Sequence, residues 1–307
     1  MANEIIYTGI GDLTLAAALS AEYILLAADR NALQNHPALM YVGDIGVGGH
    51  SDTIKVPTIG LMGYDILAST GDGTAVANSA LSDGSVTVAV GRYSKAYEAS
   101  DLARATAGAG GLSTQVFAMD ALISGALTLT SLVANLLDNF ATVVGTTGVD
   151  MTTANFLDAI SALEIAKTPG PFLAVLHPVQ FGDLRKDLAL TAAGAVQYMP
   201  ATAALIAARG TGFQGTLAGV DIVTSSYVPT MNASADRGGG MFGKGAILWA
   251  DGTLAADGSA DQMVIGGKVL FERDRTAKSG LTAYVTHRYL GVVEGIDAFG
   301  VTIQTDA

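Results

Sequence analysis

The run from Ser113 to Phe140, STQVFAMDALISGALTLTSLVANLLDNF, contains no basic residue and sets Val116, Met119, Ile123, Ala126, Val133, Leu137 and Phe140 at helical spacing on one face. Ser113 or Thr114 can cap its start. A continuous helix over these residues would be roughly 40 Å long at ~1.5 Å per residue, a length that suits a structural spine. Within it, Ala121 to Leu137 is uncharged and just long enough to span a bilayer. It is diluted by Ser, Thr, Gly and Asn and has no cationic or aromatic anchors at its ends, so it reads as a buried helix.

The segments around this spine are of different kinds. Residues 1 to about 50 combine a short helical patch, Leu13 to Asn31, with the glycine-rich YVGDIGVGGHSD, which reads as an extended arm lying over other parts or other subunits. From Ile54 the pattern is strand-like: IKVPTIGLMGYDILAST, a small-residue tip, then VTVAVGRYSKAYEASDL. Val86, Val88 and Val90 alternate with Thr87 and Ala89, the period of a strand packed on one face. A two-stranded ribbon of this kind is marginal alone and has to lean on something outside its hairpin. We expect the Val88 face to pack against a partner subunit. After the spine come a shorter helix capped by Thr152 or Thr153, an apolar strand Phe172 to Leu176, a helix begun near Pro178, a strand in GTLAGVDIVTSSYVP, and short strands in LTAYVTHRYLGVVEGIDAFGVTIQTD. Strands and helices do not alternate regularly, which indicates an α+β fold rather than a doubly wound sheet.

Composition narrows the class. Half of the 307 residues are hydrophobic and only 14% are charged, so the surface is short of charge, as expected where neighbours cover it. A net charge of -12 with scattered basic residues argues against a general nucleic-acid binder; the densest basic group, Arg273, Arg275 and Lys278, reads as a solvated turn. Cysteine is absent, which removes disulfides, thiolate catalysis and thiolate metal sites. The opening MANEIIYTGIGD has no basic n-region before an apolar core, so a cytosolic product is expected.

Chemistry-bearing patterns are weak. His177 precedes Pro178 in FLAVLHPVQFGDLRKDL; proline is accepted in the first helical turn and pushes the preceding residue toward extended geometry, so His177 reads as a strand-to-helix corner. A base there would need partners, for which Asp183 and Arg185 are the candidates. GAGGLST before the spine lacks the lysine of a phosphate loop, and GDIGVGGH is weaker still as a dinucleotide fingerprint. His50 with Asp52, and the carboxylates of DGTLAADGSAD from Asp251 to Asp261, miss metal-site spacing and read as turns. No catalytic, cofactor-binding or metal residue is therefore assigned, and no cofactor is expected. Asn232-Ala-Ser234 matches a glycosylation sequon without a secretory signal.

Taken in order, the arm, the ribbon ending in VTVAVGRYSKAYEASDLA, the spine from Ser113, FLAVLHPVQFGDLRKDL, GVDIVTSSYVP and AYVTHRYLGVVEGIDAFGVTIQTD resemble the major capsid protein of tailed bacteriophages, with the Hong Kong 97-type fold. The resemblance implies an N-terminal arm (1–53), an extended loop (54–98), a peripheral domain with the spine (99–149), an axial domain (150–260) and return strands of the peripheral domain (261–307). It also implies a non-enzymatic coat protein that assembles through pentamers and hexamers into an icosahedral head around double-stranded DNA. The implied partners are scaffolding, portal and decoration proteins, with no membrane, assembly in the host bacterial cytoplasm and a place in the virion. Some members cross-link through a lysine and an asparagine; Lys55 and Lys95 are present, but no motif transfers that chemistry. An encapsulin-type compartment shares the resemblance. A hydrolase using His177, and another phage structural protein such as a tail tube or decoration protein, are the remaining alternatives.

Overall fold

A helix of 21 residues, Thr114–Ala134, links two large sheets by packing its first half on one and its second half between both. The computed structural model describes residues 4–5, 33, 36–45, 51–58, 72, 84–106, 114–190, 198–210, 212–252, 262–265 and 269–306. The chain begins with β1 (Glu4–Ile5), β2 (Met40–Asp44), β3 (Thr53–Pro57), β4 (Ser85–Ala89) and β5 (Gly91–Ser100), then the short helix α1 (Asp101–Thr106) and the spine α2 (Thr114–Ala134). It continues through β6 (Val143–Gly145), α3 (Thr153–Ile165), β7 (Leu173–Leu176), α4 (Pro178–Leu190), β8 (Tyr198–Pro200) and α5 (Ala203–Arg209). Next come β9 (Phe213–Leu217), β10 (Val220–Thr224), β11 (Thr230–Met231), β12 (Asp236–Phe242) and β13 (Ile247–Gly252). β14 (Gln262–Ile265), β15 (Val269–Thr276), β16 (Leu281–Glu294) and β17 (Gly300–Asp306) close it.

The first sheet is organised by β16, whose 14 residues pair with β5 and β15 along its first part and with β13 along its last. Alternate β16 residues, Thr282, Tyr284, Thr286, Arg288 and Leu290, are buried, as a strand with one packed face requires. Phe117 of α2 stacks on Tyr284, with ring centroids 4.4 Å apart. The second sheet runs β6-β17-β12-β7-β10-β9-β8, with β11 on β12. Its centre, β7, is buried at all four residues, which fits the apolar LAVL and its neighbours on both sides. α3 and α4 cover one face through Phe156, Leu163, Phe181 and Leu184. The other face meets Leu129, Val133 and Leu137 in a core that also takes in Trp249 and Leu290 of the first sheet.

The spine is shorter than its apolar spacing predicts. It ends at Ala134, about 32 Å long at ~1.5 Å per residue. The next turn tightens to three-residue bonds, with Leu137 N–H donating to Ala134 O at 3.1 Å, and Thr302 Oγ1 of β17 donates to Leu137 O at 2.7 Å. Leu137 and Phe140 stay buried after the helix has ended, so burial outlasts the helix and the periodicity overstates its length. The uncharged stretch 121–137 gives Leu129, Val133, Ala134 and Leu137 to this core, and no helix among the described residues is long and apolar enough to cross a membrane.

Connections cross between the sheets. β6 and β17 belong to the second sheet, whereas β13 returns to the first, so the sheets are assembled from interleaved parts of the chain. The described end of the arm is also integrated: β2 runs parallel to β13, and Leu33, Ala38 and Leu39 are buried in the shared core.

Candidate functional site

His177 is a helix cap. Its main-chain N–H donates to Gln180 Oε1 at 3.0 Å, its carbonyl accepts the first helical bond from Phe181 N–H, and its Nδ1 accepts from Val179 N–H at 3.3 Å. The sequence HPVQ thereby reproduces a reciprocal capping box, with histidine in the serine position and Pro178 supplying the preset first turn. An accepting Nδ1 requires the neutral ring, and burial together with Arg237 lowers the His177 pKa in the same direction. The candidate partners face elsewhere: Asp183 binds Lys186 at 2.6 Å, and the Arg185 guanidinium lies over the Phe181 ring. No hydrogen bond joins His177 to Asp183 or Arg185 among the described residues.

Two further constellations resemble chemistry. His36, Asp221 and Arg209 meet where the arm crosses the second sheet: His36 Nε2 lies 3.0 Å from Asp221 Oδ2, and Arg209 Nη1 shares that oxygen. Ala38 N–H donates to His36 Nδ1, so the proton sits on Nε2 and points at Asp221. Burial, then the Arg209 charge, lowers the His36 pKa to about 4, because Arg209 already answers the carboxylate and repels an imidazolium. The folded pKa lies below the unfolded value, so this group costs no stability above pH ~6.5 and progressively more as the pH falls toward 4. Acid denaturation is expected to show extra proton uptake in that window, worth on the order of 1–3 kcal/mol, and His36→Gln is expected to remove it. Urea midpoints of both proteins at pH 7 and pH 4.5 check this; parallel pH profiles would contradict it.

The second constellation is on the first sheet. Ser94 Oγ lies 2.7 Å from His287 Nδ1, and His287 Nε2 lies 3.3 Å from Glu272 Oε2, the order of a nucleophile, base and orienting acid. Register brings them together: His287 is paired with Ser94 across β16 and β5, and Glu272 is on β15 alongside. The same register, unbroken from Leu281–Ser100 to Leu290–Gly91, places Ser94 in mid-strand, where successive backbone N–H groups point to opposite edges and no adjacent pair converges on one oxyanion. A fluorophosphonate probe is therefore expected to leave Ser94 unlabelled; labelling abolished by His287→Ala would contradict this.

The metal candidates resolve only in part. His50, Asp257 and Asp261 lie outside the described residues, Asp251 is buried beside Arg288, and no group of three ligating side chains is present among the described residues. Of the phosphate-loop candidate GAGGLST, residues 108–114, only Thr114, the first residue of α2, is described. Arg275, from the basic group, bridges to Asp101 at 2.6 Å. Asn232 binds Asp236 with its amide, in a run of left-handed residues from Asn232 to Ser234.

The surfaces offered to partners differ from the sequence expectation at one point. Val88 has no exposed surface: with Ile54, Val56 and Val86 it packs on Leu248 and Ala250 of β13 and on Met40 and Val42 of β2. The ribbon does lean on something outside its hairpin, but at its base that support is this same chain. Gly291 permits the approach, since a Cβ there would stand 2.4 Å from Ala89 O. The paired ribbon stops at Ala89; residues 91–100 are β5, and the tip lies outside the described residues except for Asp72 and Gly84. Exposed apolar side chains occur on both sheets: Tyr41, Tyr93 and Leu102 on or beside the first, and Val149, Leu157, Ile165, Val179, Met199 and Leu205 on elements of the second or beside it.

No protein-family profile and no curated protein matches the sequence. Solved structures do. The capsid of Ralstonia phage GP4 superposes with a TM-score of 0.62 at 12% identity, over 88% of this chain and 87% of that one. The chain has the Hong Kong 97-type capsid fold. The capsid of cyanophage P-SCSP1u, at TM-score 0.60 and 12% identity, covers 87% of this chain and 86% of its own. The SrpI encapsulin of Synechococcus elongatus, at 0.59 and 12%, covers 87% and 85%. The Hong Kong 97-type fold accounts for the ribbon, the spine and the two interleaved sheets.

Proposed function

We propose that this chain is the major capsid protein of a tailed phage, a non-enzymatic subunit that assembles through pentamers and hexamers around double-stranded DNA. The observation that carries the reading is the superposition on phage capsid subunits across nearly nine-tenths of the chain. In this reading the first sheet with α2 forms the peripheral domain and the second sheet with α3 to α5 forms the axial domain, where copies meet. Scaffolding and portal proteins are its partners, the host cytoplasm its place of assembly and the virion its destination.

Apolar side chains exposed on a chain with only 14% charged residues support contacts between copies. Ile165 is 82% exposed at the end of α3. Ile165→Glu is expected to change subunit stability by less than about 0.5 kcal/mol while lowering particle yield several-fold. Unchanged yield would remove Ile165 from the contact surface.

The match to an encapsulin favours one second reading, a compartment enclosing protein cargo. Nuclease-protected genome-length DNA inside purified particles supports the phage head; a co-purifying enzyme without such DNA supports the compartment.

A further inference from the structure

The second sheet ends in two short strands, β6 and β8, and no strand lies beyond either of them among the described residues. The surfaces at these two ends differ in charge. At the β6 end, α3 packs on β17 and β6, buries Phe156, Ala159 and Leu163, and turns Leu157, Asp158, Ser161, Glu164 and Ile165 outward on one helical face. Asp158 and Glu164 have no ion-pair partner among the described residues, and Lys167 is the one basic residue between positions 141 and 167. At the β8 end, residues 198–217 contain no acidic side chain, and Arg209 is their one charge. The Arg209 side chain stays 45% exposed although it meets Asp221, and Met199 of β8 is 57% exposed. Arg185 adds to this end from α4: it is exposed, it has no carboxylate partner among the described residues, and its charge reaches Tyr198 of β8.

Each end thus combines open apolar side chains with uncompensated charge of one sign, and the signs are opposite. Such surfaces complement each other, and every copy of the chain carries both. Because they are different surfaces at opposite ends of one sheet, a contact between them is head-to-tail and repeats from copy to copy. We propose that the α3 edge of one copy seats against the β8 edge of the next, Leu157 and Ile165 covering Met199 while Asp158 and Glu164 face Arg185 and Arg209. This inference rests on the shell reading and names the contact that closes its rings.

Charge reversal in the full chain tests the contact, under whichever condition, alone or with scaffolding protein, lets the wild type assemble. Asp158→Lys with Glu164→Lys, and separately Arg185→Glu, are each expected to lower the yield of rings and particles at least ~tenfold, read by light scattering and negative-stain microscopy. All three positions are exposed, so both variants are expected to melt within about 3 °C of the wild type. The chain carrying all three substitutions has the attraction reversed, and its yield is expected to rise at least ~threefold above that of either parent variant, which mere damage to the subunit cannot produce. Arg209 is left in place because it answers buried Asp221. If a reversed variant melts early, Glu164→Gln and Arg185→Gln take its place, each with an expected yield about threefold below wild type. Wild-type yield from the variants of either edge, or no recovery in the combined chain, overturns the contact and leaves the shell reading standing. A wild type that never assembles removes both.

Discussion

Replacing Val88 with Asp is expected to destroy the folded subunit and not only its assembly. Val88 is fully buried in the seat of the ribbon, cross-paired with Ile54 and facing Leu248 and Ala250. A carboxylate there loses its water and gains no identified partner, and it must either ionise in an apolar setting or take up a proton. The expected loss is at least ~4 kcal/mol, which lowers the melting temperature of a protein this size by about 8 °C or more. Val88→Ala, which removes only methyl groups, is expected to cost about 2 kcal/mol and to leave a soluble subunit. Thermal unfolding and soluble yield of the two variants check this. A soluble Val88→Asp subunit with a normal melting temperature would mean that the ribbon base does not sit against its own chain.

Gln180→Leu is expected to be comparably damaging for the opposite reason, since it removes polarity from a buried place that needs it. Gln180 has no exposed surface. Its Nε2 reaches Arg237 O and Ile303 O, each at 3.1 Å, and Thr305 Oγ1 at 2.8 Å, while Oε1 accepts the His177 N–H. One side chain thus ties the start of α4 to β12 and β17. Gly239 makes room for it, since a Cβ would stand 2.6 Å from Gln180 Oε1. Leucine keeps the volume and orphans these groups, at an expected cost of about 4 kcal/mol. Urea denaturation gives the number. A loss below about 1 kcal/mol would mean that water or a neighbour replaces the amide with ease.

How much of the fold is legible in the sequence depends on the range of the interaction concerned. The spine is legible because helical spacing is local, and its end is not, because Leu137 and Phe140 remain buried beyond the last helical residue. The corner at His177 follows from Pro178 alone, since proline acts on its immediate neighbours. The reciprocal bond from Gln180 is hidden because the usual cap is serine or threonine. Alternation through Val86, Val88 and Val90 reveals a covered face, but a period of two cannot say whether this chain or another covers it. Long-range register is out of reach: nothing local pairs Ser94 with His287, 193 positions away, or sets Arg288 against Gly125. The exchange of strands between sheets is hidden for the same reason, because β13 and β17 look like ordinary strands until their partners are known.

The claim that this chain builds a shell is tested most directly by negative-stain electron microscopy with light scattering, on the protein expressed alone and again with a scaffolding protein supplied. A shell-forming subunit is expected to give closed particles, or rings of five and six subunits, in at least one of the two preparations. A folded monomer that stays monomeric in both would contradict it.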